Sequence, residues 1–187
     1  MNRNSKILVF TEGGICVALA VVLSYLKIDI GPQGGSLNFA MLPIILFAVH
    51  TGGLKWGILT GFVYGTLKFF LSGGYALNWQ SMMLDYSIAY AAVGLAGLFK
   101  GKHIKGYMLG ALLACLARFG VHYVSGVTIY AQYAENLYLG FDGLNKWTYS
   151  LIYNGFYMLF NTIAAVIVSP AIGAALEKIG VPGKKAS

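Results

Sequence analysis

The stretch Leu116-Ala-Arg-Phe-Gly-Val-His-Tyr-Val-Ser-Gly-Val-Thr-Ile-Tyr-Ala-Gln-Tyr133 lies inside a long apolar segment, yet it carries Arg118, His122, Gly126 and Tyr130 at a strict four-residue interval. At about 100° per residue, each step of four drifts only about 40° round a helix, so the four residues form one slanted stripe. The stripe offers a cation, an imidazole, a gap with no side chain, and an aromatic ring. Lipid tolerates none of its polar members, so the stripe is expected to face protein or a cavity. It reads as one wall of a small-molecule site.

The chain around this stretch has the composition of a membrane protein. Of its 187 residues, 58% are hydrophobic and only 10% charged, with a mean hydropathy of +0.70; a soluble domain carries about 25% charged residues. The first apolar run has no small-residue cleavage site and continues as a full span, so no separate signal peptide is expected. Cys16 and Cys115 lie in different apolar segments, without CxxC spacing or a nearby histidine pair. That argues against a disulfide framework or a metal site, and no cofactor is expected. The net charge of +7 reads as membrane topology rather than nucleic-acid affinity.

Six apolar segments fall at 6–26, 38–49, 54–71, 80–99, 107–133 and 147–176, judged against the roughly 20 residues that cross about 30 Å of hydrocarbon. The expectation is an all-α integral membrane protein, residues 1–187 forming a single domain of six transmembrane helices. The second segment is short and interrupted by Pro43, which predicts a kinked or incompletely spanning helix beside a cavity. With the N-terminus in the cytoplasm, the inner flanks hold nine basic residues (Arg3, Lys6, Lys55, Lys100, Lys102, Lys105, Lys178, Lys184, Lys185) and the outer loops only Lys27 and Lys146. This asymmetry predicts cytoplasmic N- and C-termini. The outer connections 27–37, 72–80 and 134–146 are rich in glycine and aromatics, and Gly31-Pro32 excludes helix in the first. Each suits either a mobile lid or a simple interfacial connection.

Asp85 is the one acid near the middle of an apolar span. A buried carboxylate needs a partner; Arg118, His122 and a bound cation are the candidates. Glu12 lies about one turn from the inner face and reads as an interface residue outside the site. Lys68, near the outer end of its span, reads as a snorkelling lysine. Aromatic residues crowd the outer half, several of them forming an interfacial belt. Tyr86, next to Asp85, and Tyr130, on the polar stripe, fit that belt poorly. Aromatic faces plus one carboxylate are what a flat organic cation needs. Asn154, five residues after Tyr149, can read donor and acceptor edges of a heterocycle or bond a neighbouring helix. Small residues recur at four-residue spacing: Gly14 and Ala18, then Gly57, Gly61 and Gly65, then Gly106 and Gly110. Such spacing means close helix packing or, for Gly14 and Ala18, docking of another membrane protein. The sequence has no phosphate-loop motif, HExxH, GxSxG or CxxC, so no familiar enzyme chemistry is indicated.

Taken together, Gln33-Gly-Gly-Ser, Met41-Leu-Pro-Ile, Leu84-Asp-Tyr, Gly94-Leu-Ala-Gly-Leu-Phe, His122-x-x-x-Gly126 with Tyr130-Ala-Gln-Tyr, and Tyr149 to Asn154-Gly resemble the thiamine-specific substrate-capture subunits of energy-coupling-factor transporters. The resemblance covers nearly the whole chain. It implies six helices in a bacterial cell membrane and high-affinity capture of thiamine from outside. It also implies a complex with a transmembrane coupling protein and two ATPase subunits, the chain itself having no ATPase or other enzyme activity. By this resemblance Asp85 takes the aminopyrimidine, while Tyr86, His122 and Tyr130 pack against the rings and Gly126 allows close approach. Tyr149 and Asn154 match sixth-helix contacts, Arg118 stands where a lysine can occur, and Tyr64 and Tyr75 match aromatic positions. Gly14 and Ala18 match a partner-docking surface on the first helix. The competing function is a self-sufficient secondary transporter for an organic cation, with Asp85 as its proton-coupling site.

Overall fold

The structure, a computed structural model, describes residues 3–30, 35–71, 75–135 and 139–180, with side chains from Lys6 onward in the first helix. Its α-helices are α1 (Arg3–Tyr25), α2 (Met41–Phe47), α3 (Gly53–Leu71), α4 (Trp79–Met82), α5 (Ala89–Val93), α6 (His103–Thr128) and α7 (Lys146–Lys178). A π-helical turn, Ala48–Gly52, joins α2 to α3, and a second, Met83–Ile88, joins α4 to α5. A 3₁₀ segment, Gly94–Phe99, extends α5. Among the described residues, five helical stretches are long and apolar enough to cross a bilayer: Lys6–Tyr25, Met41–Leu71, Trp79–Phe99, His103–Thr128 and Lys146–Lys178.

The apolar residues of this fold face outward as well as inward. Ile7, Phe10, Ile15 and Val22 of α1 are exposed, as are Leu151, Leu159, Ile163 and Ile167 of α7. Lipid accepts such a surface, whereas a soluble domain would turn it inward. The interior mixes large apolar side chains with small and polar ones, Ser81, Ser87, Ser125 and Asn161 among them. Each of those four is hydrogen-bonded, as a polar group in a dry interior must be.

Two expectations are corrected by the backbone, and a third is filled in. Pro43 does not interrupt its helix. It is the third residue of α2, in the first turn, where a missing amide hydrogen leaves no intrahelical bond unmade. The break comes later, at the π-turn and at Gly53, whose φ of 71° suits a residue without a Cβ. In the 27–37 connection, where the sequence excluded helix, β1 (Lys27–Asp29) and β2 (Ser36–Asn38) pair antiparallel, Lys27 opposite Asn38 and Asp29 opposite Ser36. Asn161 of α7 grips β2, its Oδ1 accepting from the Asn38 amide at 3.2 Å and its Nδ2 donating to the Ser36 carbonyl at 2.9 Å. The polar stripe also outruns its helix, because α6 ends at Thr128 and Tyr130 follows in a turn. The Gly31-Pro32 turn, Gln33 and Gly34, the Ser72-Gly73-Gly74 run, the Arg3 side chain, Lys184 and Lys185 lie outside the described residues.

The glycines of α3 set the spacing of the bundle. A Cβ on Gly61 would overlap the Tyr90 carbonyl, and one on Gly65 the Tyr86 carbonyl. A Cβ on Gly57 would strike Ala48 and Gly94. The α3 backbone thus lies directly on the segment that carries Asp85. Gly14 differs: a Cβ there would have nothing within 4 Å. Gly61→Ala should therefore cost about 1–3 kcal/mol through overpacking, seen as a lower thermal midpoint of the detergent-solubilised chain. Gly14→Ala should stay within about 0.5 kcal/mol of the native protein. Equal midpoints for Gly61→Ala and the native chain would mean that this contact is not tight.

Candidate functional site

The ends of α1, α3, α6 and α7 that meet around the Met83–Ile88 π-turn enclose a cavity of about 250 Å³. The π-turn is itself a local signal. Its wider winding re-aims side chains and is frequent at functional sites. Here it presents Asp85 and Tyr86 to the cavity. Just upstream, Asn78 caps the short α4 reciprocally: its Oδ1 accepts from the Ser81 amide at 2.8 Å, and its own amide donates to Ser81 Oγ at 3.1 Å. This fixes where the helix begins, and therefore where Asp85 falls.

Asp85 is paired with two side chains of α6, His122 and Ser125. Its Oδ1 lies 3.0 Å from His122 Nδ1, and its Oδ2 accepts from Ser125 Oγ at 3.0 Å. The Asp85 and His122 side chains are only 15% and 9% exposed. An ionised carboxylate has about four acceptor positions, so it keeps capacity beyond these two bonds. Of the three cations in the lining, Lys27 pairs with Asp29 at 2.9 Å and the other two are drawn to Tyr90. Arg118 lies over the Tyr90 ring at 4.3 Å and donates from Nη2 to its hydroxyl at 3.1 Å. Lys68 donates to the same hydroxyl at 2.8 Å, with its ammonium 5.1 Å from the ring centre. Lys68 therefore turns inward rather than snorkelling, because Tyr90 offers it both an acceptor and a π-face.

Tyrosines make most of the remaining wall. Tyr149 and Tyr153 stack with centroids 5.8 Å apart and planes 17° apart, and Tyr157 stands edge-on to both Tyr153 and His122. At the other side, Tyr130 faces Tyr75 at 6.3 Å, and the Tyr75 and Tyr133 hydroxyls are 3.0 Å apart. That hydrogen bond raises the Tyr75 pKa above the ordinary tyrosine value. Tyr86 donates to the Tyr75 carbonyl at 3.2 Å. The Gly35 amide donates to Tyr153 Oη at 3.1 Å, which brings the β1–β2 connection to the rim. A Cβ on Gly126 would overlap Ser150 and lie 3.0 Å from Asn154 Nδ2, so this glycine is what lets α6 and α7 approach.

Nine sequence-predicted residues line the same cavity: Tyr75, Asp85, Tyr86, Arg118, His122, Gly126, Tyr130, Tyr149 and Asn154. Tyr64 is not in that lining. It is fully buried, its ring edge-on to Tyr90 at 4.6 Å. Asn154 is largely committed to the protein: Nδ2 donates to the His122 carbonyl and to Ser150, and Oδ1 accepts from Tyr157. Only a free lone pair on Oδ1 is left for a guest. Glu12 lies away from the lining, as the sequence suggested. Sequence reasoning missed Tyr90, Ser125, Ser150 and Tyr157. The signal for Tyr157 was present, since Tyr149, Tyr153 and Tyr157 repeat every four residues as Arg118 and His122 do.

Comparison with known proteins agrees with this architecture. A family model described as thiamine transporter protein (Thia_YuaJ) matches residues 10–180. The thiamine transporter ThiT of Lacticaseibacillus paracasei is 32% identical over 183 residues, covering 90% of this chain and 88% of that protein. The thiamine transporter ThiT of Bacillus subtilis is 30% identical over 185 residues, covering 90% and 91%. A solved structure of ThiT from Listeria monocytogenes superposes with a TM-score of 0.82 at 23% identity, covering 93% of this chain and 97% of that one. A multi-pass bacterial membrane protein whose sequence matches over this length, and whose helices superpose this closely, belongs to the Thia_YuaJ family of thiamine transporter proteins.

Proposed function

We propose that the cavity captures thiamine with high affinity at the extracellular face, as the substrate-specific subunit of an ATP-driven energy-coupling-factor transporter. The observation that carries this reading is the Asp85 carboxylate. It has acceptor capacity to spare and opens onto a tyrosine-walled cavity whose two nearest cations are held against Tyr90. Thiamine has a permanently positive thiazolium and an aminopyrimidine that donates hydrogen bonds. Asp85 receives the aminopyrimidine, while Tyr86, His122, Tyr130, Tyr149 and Tyr75 pack the rings. Gly126 permits close approach, Asn154 offers Oδ1, and Arg118 stands behind His122. A desolvated cation–π contact is worth ~2 kcal/mol and a hydrogen bond to a charged group ~1.5–3 kcal/mol. A few of these, less the cost of immobilising the vitamin, reach sub-micromolar affinity, or about −8 kcal/mol.

In this reading the break at Gly53 separates two crossings, giving six transmembrane helices with both termini cytoplasmic. The chain carries no ATPase of its own and works with a transmembrane coupling protein and two ATPase subunits. Support for a docking face comes from α1, where Gly14 and Ala18 lie exposed among Ile15, Leu19 and Val22.

Asp85→Asn should weaken thiamine binding by at least about tenfold, the equivalent of one lost charge-assisted hydrogen bond. Unchanged calorimetric affinity would remove Asp85 from the site. Gly14→Leu should abolish cellular thiamine uptake while the isolated chain binds as before; loss of binding as well would place that face inside the fold. Thiamine flux driven by a proton gradient into liposomes holding only this chain would replace the subunit reading with that of a self-sufficient carrier.

A further inference from the structure

Arg118 is the most deeply placed charge at the cavity, and its hydrogen bonds constrain a neighbour. A guanidinium has five N–H donors and no acceptor. Arg118 Nε lies 3.2 Å from His122 Nε2, so Nε2 must be the lone-pair nitrogen of the ring. The ring proton is then on Nδ1, 3.0 Å from Asp85 Oδ1, and is donated to it. The opposite tautomer would set two N–H groups against each other at Arg118, and a lone pair against a carboxylate at Asp85. A doubly protonated ring would keep the first of these conflicts. The guanidinium cannot turn away to relieve it, because it is only 5% exposed, lies on the Tyr90 ring and is tied to the Tyr90 hydroxyl.

We propose that Arg118 is a positioning residue: through its Nε–H it fixes His122 as the neutral Nδ1–H tautomer, which in turn aims the Asp85 carboxylate and keeps a second positive charge out of the cavity. The inference rests on the thiamine reading only for its benefit, since an imidazolium beside a thiazolium would repel it. The groups facing His122 come from every neighbouring element. They are Asp85 from the π-turn, Lys68 from α3, Arg118 from its own helix and Tyr157 from α7, with Ser125 bonded to Asp85 and Tyr90 to Arg118 just beyond them. Asp85 favours a proton on Nδ1 and Arg118 forbids one on Nε2. Between them, one tautomer survives. The four-residue step from 118 to 122 is the spacing that puts donor and ring in reach along one helix face.

The test is histidine nitrogen NMR on the full chain in detergent, ¹⁵N-labelled at histidine and free of ligand. His50→Gln and His103→Gln assign the two other histidines of the sequence. Native His122 should give the pattern of a neutral ring protonated at Nδ1. In Arg118→Met the Nε2–H form should appear, with thiamine affinity lower by about tenfold. Arg118→Lys, which keeps one donor and the charge, should restore the native pattern and bring affinity back to within about threefold of native. A native His122 protonated at Nε2, or at both nitrogens, overturns the inference. So does an Arg118→Met variant that loses affinity with its tautomer unchanged, which is what a merely structural arginine would give. Should Arg118→Met fail to fold, the native and Arg118→Lys spectra still decide. An Nδ1–H ring in a native chain that binds no thiamine calorimetrically would support the tautomer assignment and sink the functional reading, so the two failures are distinct.

Discussion

A carboxylate placed at bilayer depth is costly unless other groups hold it, and the arrangement around Asp85 is the constraint that the rest of this molecule satisfies. Two side chains, His122 and Ser125, meet its oxygens from α6. For α6 to stand there, it must nestle against α7, which the absence of a side chain at Gly126 permits. For Asp85 to reach α6 at all, its own segment must wind as a π-turn and lie flat on α3, which Gly61 and Gly65 permit. Packing by small residues and the pairing of one acid are thus parts of a single arrangement.

The handling of positive charge follows from the same constraint. Arg118 and Lys68 both border a cavity that is best read as receiving a cation, an apparent conflict. Tyr90 resolves it by accepting a hydrogen bond from each and offering its ring to both. Arg118 and Lys68 are held on Tyr90 and Lys27 is paired with Asp29, while Tyr149, Tyr153, Tyr157 and Tyr130 supply uncharged aromatic surface. Charge is segregated within a space of about 250 Å³, and in a low-dielectric interior such segregation has far more effect than it would in water.

The loop that leads from α1 to α2 shows how the wall is completed from outside the helices. Asn161 binds two backbone groups of β2, and Tyr153 binds the Gly35 amide. These are side-chain bonds to backbone across more than a hundred residues of sequence. Nothing in the local reading of a glycine-rich connection points to them.

What the sequence determined by itself was the class of the protein and many of the residues that line its cavity. Unbroken apolar runs of this length with scarce charge require membrane-crossing helices, because a lone apolar segment satisfies its own backbone in hydrocarbon only by coiling into one. A lone acid and a polar stripe inside such helices require a shared interior, because lipid rejects them. Nine of the ten residues chosen on those grounds, with the family resemblance, do line one cavity. Tertiary structure alone decided the pairings. The sequence left Asp85 open to Arg118, His122 or a bound cation, and the fold gives it His122 and Ser125 while sending Arg118 to Tyr90. It also decided that Tyr64 backs Tyr90 instead of reaching the cavity, that Lys68 turns inward, and that the second span breaks at Gly53 rather than Pro43. The reason is one of range: helical periodicity reports which residues share a face, whereas hydrogen-bond partners depend on distances between helices, set by contacts such as those of Gly61 and Gly126 that no local pattern encodes.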